Sequence, residues 1–403
     1  MAMAKPRSFS LLVHASLFLP FIFHLYLYNF EEEQIKRVVN CCHFDACAGF
    51  AGTLESWGPQ IKGLTSGDKA RDEDVAESSR RDEEEEEGLE VCCFDNRGMG
   101  RSSIPTNKYH YSTTIMAKDA LSLMDHLGWR KAHVFGHSMG GMIACKLASI
   151  APDRLRSLAL LNVTGGGYQC FPRIDRQIMS LAFRFLRANT PEERASVDLE
   201  VHYTKEYLDQ TVGSSTRRKI LFQEYVKAMS SAGMQSKHGY EGQIHACWNH
   251  KINQDEIDTI RLSGFPVAII HGRDDLVAQL YHARRLAERL RPAARMVELH
   301  GAHLVGHERP DEVNTALLDL IKVSESKLEQ QEWSNLTERE SERAMPLSNR
   351  NNDGAVVLVT LYSLLVKIQL SFLFFMGFFF MFFGHMRNIV KVLKPVRVLA
   401  VES

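Results

Sequence analysis

Apolar positions fall into short continuous runs and into helix-spaced stripes, and the two patterns alternate. Leu89–Phe94, Ala132–Phe135, Leu158–Val163, Val267–His271 and Arg295–Leu299 read as strands. Thr113–Leu127, Met139–Ile150, Gln279–Leu290 and Pro310–Ser324 carry the three-to-four-residue spacing of helices. Short apolar strands separated by helices predict a parallel sheet covered on both faces. Upstream, residues 35–53 read as a poor strand ending in a glycine-rich turn. Residues 164–265 hold no clear strand but contain the helix-like stretches 176–188 and 216–233. Inserted between two strands of a parallel sheet, that block is expected to lie as a helical cap over the carboxyl edge.

Other stretches break the pattern. Residues 67–90 are a charge run, expected as a solvated acidic insertion. Residues 1–34 form a hydrophobic N-terminal segment, read as an anchor or as the product of a faulty gene prediction. The stretch 364–384 is long enough to cross a bilayer, which needs about 20 apolar residues. Eight of its positions between 372 and 383 are phenylalanine, and Lys367 is its single charge. The chain therefore divides into the N-terminal segment, a folded α/β domain over 35–324, a polar linker over 325–360, a transmembrane helix over 361–384 and a basic tail over 385–403. The tail (Arg387, Lys391, Lys394, Arg397) favours a cytosolic C-terminus. Arg339, Arg343 and Arg350 on the other flank reduce that asymmetry.

Composition narrows the classes. The 403 residues are 45% hydrophobic and 24% charged with a formal net charge of −1, so there is no electrostatic footprint for nucleic acid. The eight cysteines lack both metal-site spacing and a secreted pairing pattern. They read as buried reduced thiols, which favours a cytosolic placement of the folded domain.

The chemistry starts at Gly136-His137-Ser138-Met139-Gly140. A strand feeds a tight turn that opens a helix, which exposes the Ser138 hydroxyl and aims the Met139 N–H into the same space. A serine needs a histidine to take its proton and a carboxylate to orient that histidine. Among 17 histidines, His300, His303 and His307 follow the last strand, and His303 lies in the loop itself, after Gly301-Ala302. Asp274 and Asp275 end the preceding strand, and Asp275 is the better placed acid. His300, His307 and Asp274 are expected to be structural or surface groups.

With GHSMGG at 136–141 and DNRGMGRSS at 95–103, residues 48–324 resemble the α/β-hydrolase family, in particular its plant members. In that family the acid belongs to an H-G-x-x-D turn, matching His271, Gly272 and Asp275. The base lies five residues before the glutamate of an E-R-P helix start, matching His303 and Glu308-Arg309-Pro310. The resemblance makes Phe50, after Ala48-Gly49, the second backbone oxyanion donor beside Met139. It gives the DNRGMGRSS turn a structural role, with Asp95 and Arg97 expected to pair. The family's opening antiparallel hairpin has no counterpart in residues 1–40. The expected function is a cofactor- and metal-free serine hydrolase, acting on a small-molecule or lipid-derived ester or related acyl bond at a membrane. A low-turnover ligand receptor or an inert membrane scaffold of the same fold are the alternatives.

Overall fold

The computed structural model describes residues 36–41, 54–65, 89–173, 175–232, 235–326 and 333. The chain divides into two compact units, Met1–Ser341 and Glu342–Ser403, and every described residue belongs to the first. The hydrophobic N-terminal segment, Phe50, residues 67–88 of the acidic insertion, the linker beyond Trp333, the 361–384 segment and the basic tail lie outside the described residues. Among the described residues no helix is long and apolar enough to cross a membrane.

Among the described residues six parallel strands form the sheet, in the order β2-β1-β3-β4-β7-β8. They are β1 (Lys36–Cys41), β2 (Leu89–Phe94), β3 (Ala132–His137), β4 (Leu155–Leu161), β7 (Val267–Gly272) and β8 (Ala294–Leu299). The weakly patterned β1 pairs with both β2 and β3. Its backbone is thus satisfied on two sides, which outweighs a modest intrinsic preference for strand. At the edge, β2 buries only Cys92 fully, where the sequence suggested a buried strand.

Alternation along the inner strands supplies both faces of the core. Val134, Leu158, Leu160, Val267 and Ile269 face one cluster, shared with α2 (Thr113–His126), α3 (Met139–Ile150), α9 (Gln254–Leu262) and α10 (Leu280–Arg289). Phe135, Ala159, Leu161, Ala268 and Ile270 face the other, covered by α1 (Gly58–Thr65) and α12 (Pro310–Glu325). Trp333 joins this second face from beyond α12. It is 1% exposed, and its Nε1 donates to Val267 O at 2.9 Å.

Between β4 and β7 the cap contains α4 (Arg176–Arg187), α5 (Pro191–His202), α6 (Lys205–Asp209), α7 (Arg217–Ala232), α8 (Lys237–Asn249) and α9. It also holds a small antiparallel ribbon, β5 (Thr211–Val212) with β6 (Ser215–Thr216), where no strand was expected. A short helix, α11 (Val305–Glu308), precedes α12.

Two small apolar clusters seat the cap on the sheet. One gathers Ala195, Leu199, Leu208 and Tyr225 around Leu304; the other gathers Leu181, Val197 and Val201 with Leu276 and Val277. Each closes on a residue adjacent in sequence to His303 or Asp275. The DNRGMGRSS turn is braced by α8, with Gln243 Nε2 donating to Arg97 O at 2.9 Å and Gly98 packed against Gly239. Arg97 pairs with Asp119 of α2, at 2.7 and 2.6 Å, and not with Asp95. Asp95 instead accepts the Arg101 N–H inside the turn.

Candidate active site

In this sheet the chain turns back between β1 and β3, the switch point where parallel sheets open a crevice at their carboxyl ends. Ser138 stands there as the first residue after β3, with φ 52° and ψ −117°. Such a backbone costs on the order of 1–3 kcal/mol for a residue other than glycine, and its surroundings must impose it. Its N–H donates to Leu161 O at 2.9 Å, and its own carbonyl accepts from Gly141 and Met142. The reversal needs close packing, since a Cβ on Gly136 would run into the Gly140 carbonyl. The half-buried hydroxyl makes no capping bond to its own helix. Met139 is the first residue of α3, so its N–H has no intrahelical acceptor and points with the positive helix end.

Asp275 is buried in the turn after β7. Its Oδ1 accepts the N–H groups of Val277 and Ala278 at 2.7 and 2.8 Å. Its Oδ2 accepts Asn162 Nδ2 at 2.6 Å and His303 Nδ1 at 2.8 Å. Burial alone would raise its pKa. The adjacent His303 and His271, with the Asn162 hydrogen bond, more than offset burial and hold the carboxyl well below the usual range. Because a carboxylate accepts at Nδ1, the proton on neutral His303 sits there, and Nε2 is left as the basic edge. That Nε2 is buried and has no hydrogen-bond partner among the described residues, Ser138 included. Such bonds are often loose before substrate binds.

Several neighbours carry weight that sequence reasoning missed. His137, inside the elbow motif, donates from Nε2 to His303 O at 2.7 Å, and its ring meets the His303 ring edge-on at 4.9 Å. Burial, then the nearby His303, push His137 well below the ordinary histidine range, so it stays neutral. Asn162 holds Asp275 from a left-handed backbone (φ 47°) and also reaches Ala302 O at 3.2 Å. Glu308 accepts the Ala302 N–H at 2.9 Å, the Thr204 N–H at 3.0 Å and the Thr204 hydroxyl at 2.6 Å. Beside it, Leu304 N donates to His202 O at 3.0 Å. The corner between α5 and α6 is thus tied to the loop that carries His303.

The remaining candidates sit elsewhere. His300 is exposed between Glu206 and Asp274, at 2.8 and 3.0 Å. His307 is bound through Tyr203 Oη and Ser56 O, at 3.0 and 2.7 Å. Neither touches Asp275. Phe50, the second expected oxyanion donor, is outside the described residues. Among the described residues no group of three or more potential ligands could hold a metal ion.

Comparison with known proteins agrees with this architecture. Residues 46–310 match the family described as alpha/beta hydrolase fold. RutD of Caulobacter sp. (strain K31), whose name proposes a carbamate hydrolase, is 29% identical over 274 residues, covering 68% of this chain and 88% of that protein. BpoC of Mycobacterium tuberculosis H37Rv, whose name proposes a non-heme bromoperoxidase, is 27% identical over 234 residues, covering 57% of this chain and 82% of BpoC. Its crystal structure superposes with a TM-score of 0.52, at 23% identity over 72% of this chain and 93% of that one. The enol-lactonase of Burkholderia xenovorans LB400 gives a TM-score of 0.52 at 22% identity, over 73% of this chain and 94% of that one. At such identities the two structures speak for the fold alone.

Proposed function

The chain belongs to the α/β-hydrolase fold family, and from that premise we propose that it is a serine hydrolase cleaving a carboxylic ester or related acyl bond through Ser138, Asp275 and His303. One observation carries the reading: a buried histidine bonded to a carboxylate at Nδ1, with Nε2 unengaged, beside a serine on a strained elbow. In the proposed reaction Ser138 Oγ attacks the carbonyl carbon as its proton passes to His303 Nε2. Negative charge develops on the carbonyl oxygen and is met by the Met139 N–H and, in this reading, that of Phe50. His303 returns the proton to the departing alcohol or amine, leaving an acyl group on Ser138. A water molecule, deprotonated by the same nitrogen, then releases the acid and restores the serine. Asp275 stays ionised throughout and stabilises the imidazolium.

The name of one relative, a carbamate hydrolase, extends the eligible bonds to carbamates. We also propose that residues 364–384 tether the protein to a membrane with the catalytic domain in the cytosol. A lipid-derived acyl substrate follows from that placement. A fluorophosphonate probe tests the chemistry: it is expected to label the intact protein and to fail on Ser138→Ala. Equal labelling of both overturns the assignment. Resistance of the protein to alkaline carbonate extraction tests the tether, and complete extraction refutes it.

A further inference from the structure

The cap helix α4 is apolar on two faces, and only one of them is used. Its inner face sets Ile178, Leu181 and Phe185 against Val197 and Val201 of α5 and against Leu276 and Val277. Arg184 also turns inward, pairing with Glu200 at 2.7 Å. The outer face presents Met179 and Phe183, one helical turn apart and each 59% exposed. Exposed Arg173, Arg176 and Arg187 flank it, the Arg187 guanidinium lying 5.0 Å from the centre of the Phe183 ring. The helix itself contains no acidic residue, and the preceding Asp175 caps it by accepting the Ile178 N–H. Just upstream, Phe171 meets Trp248 of α8 edge-on at 5.1 Å, and both are exposed.

We propose that the outer face of α4 docks on an anionic lipid surface. Bulky apolar side chains ringed by arginines, on a helix without acids, match the boundary between acyl chains and negative headgroups. A soluble protein partner would need acidic groups around an apolar seat, whereas a bilayer offers both over any area. The chain also carries the 364–384 segment, followed by the basic tail, so this surface need only act on a membrane already at hand. Reach is no obstacle, since residues 334–363 can extend over roughly 100 Å. A domain of this size is only about 50 Å across. Because Leu276 and Val277 directly follow Asp275, a docked α4 would bring the mouth of the catalytic crevice to the acyl chains. The inference deepens the membrane part of the proposed function and uses none of its chemistry.

The test follows backbone hydrogen exchange over 176–187 in the full chain. The protein is held in nanodiscs of phosphatidylcholine, alone or with phosphatidylserine. If it purifies free of lipid, vesicles of the same two compositions are added instead. Exchange is expected to slow by about tenfold or more in the anionic lipid relative to the neutral one, as two or more arginines near such a surface imply. Met179→Asp with Phe183→Asp should abolish the difference, and so should Arg176→Glu with Arg187→Glu. Unchanged exchange in α3 and β3 shows that both variants are folded. Equal exchange in the two lipids overturns the proposal. So does protection that persists in the charge-reversed variant, which would mean cover by the chain's own apolar segment, or protection that rises with protein concentration, which would mean a second copy. A protein that is fully extracted by carbonate yet still shows the anionic-lipid difference on added vesicles loses the tether and keeps this surface, so the two readings fail separately.

Discussion

Replacing Glu308 by alanine removes the acceptor for three donors at once, the N–H groups of Ala302 and Thr204 and the Thr204 hydroxyl. Glu308 is only 7% exposed, so water cannot fully take over. Net hydrogen bonds to charged groups are worth about 1.5–3 kcal/mol each, and a donor left buried and unpaired costs about 1–3 kcal/mol. The three bonds share one carboxylate and do not add fully, so the expected loss is about 3–5 kcal/mol. At roughly 2–4 °C per kcal/mol for a domain of this size, the Tm should fall by about 6–20 °C. Glu308→Gln keeps one carbonyl acceptor and should lose about 1–3 kcal/mol, while Thr204→Val, which deletes both the hydroxyl bond to Glu308 and the cap on the Tyr207 N–H, should lose about 2–4 kcal/mol. Because Ala302 precedes His303, the loosened loop should also lower kcat on a nitrophenyl ester, by up to about a hundredfold for a displacement near 1 Å. Urea unfolding and steady-state kinetics on the three variants measure both effects. A Glu308→Ala protein within about 0.5 kcal/mol of wild type would show that the carboxylate is energetically idle. A destabilised protein with unchanged kcat would show that the clamp holds the fold but does not aim His303.

Two further expectations concern the acid. Asp275→Asn should cripple turnover while Asp274→Asn, which removes only an exposed partner of His300, retains most of it; the reverse order would move the assignment by one residue. Asn162→Gly deletes the amide on Asp275 Oδ2 while suiting the left-handed backbone. Asp275 is depressed in the fold, so its ionisation contributes stability that is fully present above the unfolded value near 3.9 and is lost as pH falls through the folded value. Removing the amide raises the folded value and narrows that window, so acid unfolding should begin at higher pH than in wild type. An unmoved acid transition would remove Asn162 from the account.

What the sequence revealed followed the strength of local signals. Strands such as Val267–Gly272, continuous in apolar residues, and the turn around Ser138 needed only periodicity and glycine spacing. Helices α5 and α9 escaped because their apolar stripes are diluted, α5 burying Asp198 and His202 among its core positions. Their capping boxes, Thr190 with Glu193 and Asn253 with Glu256, were the available signals. The roles of His137 and Glu308 were hidden inside motifs whose spacing was legible, because their partners, His303 O and Thr204, are remote in sequence. Asn162 gave no signal at all, since a neutral amide earns its place only once β4 and β7 lie side by side.

Trp333 sets where mechanical load enters the molecule. Its indole is pinned to Val267, the first residue of β7, beneath the Arg295 guanidinium. That is the amino-terminal edge of the sheet, whereas Ser138 and Asp275 follow the carboxyl ends of β3 and β7. A pull transmitted along the chain from beyond residue 333 therefore meets a buried ring worth about 4–6 kcal/mol of apolar burial before it reaches any strand. The catalytic loops lie a strand's length away, roughly 20 Å. Load on the chain beyond Trp333 would be spent at the base of the sheet and leave the geometry between Asp275 and His303 unstretched.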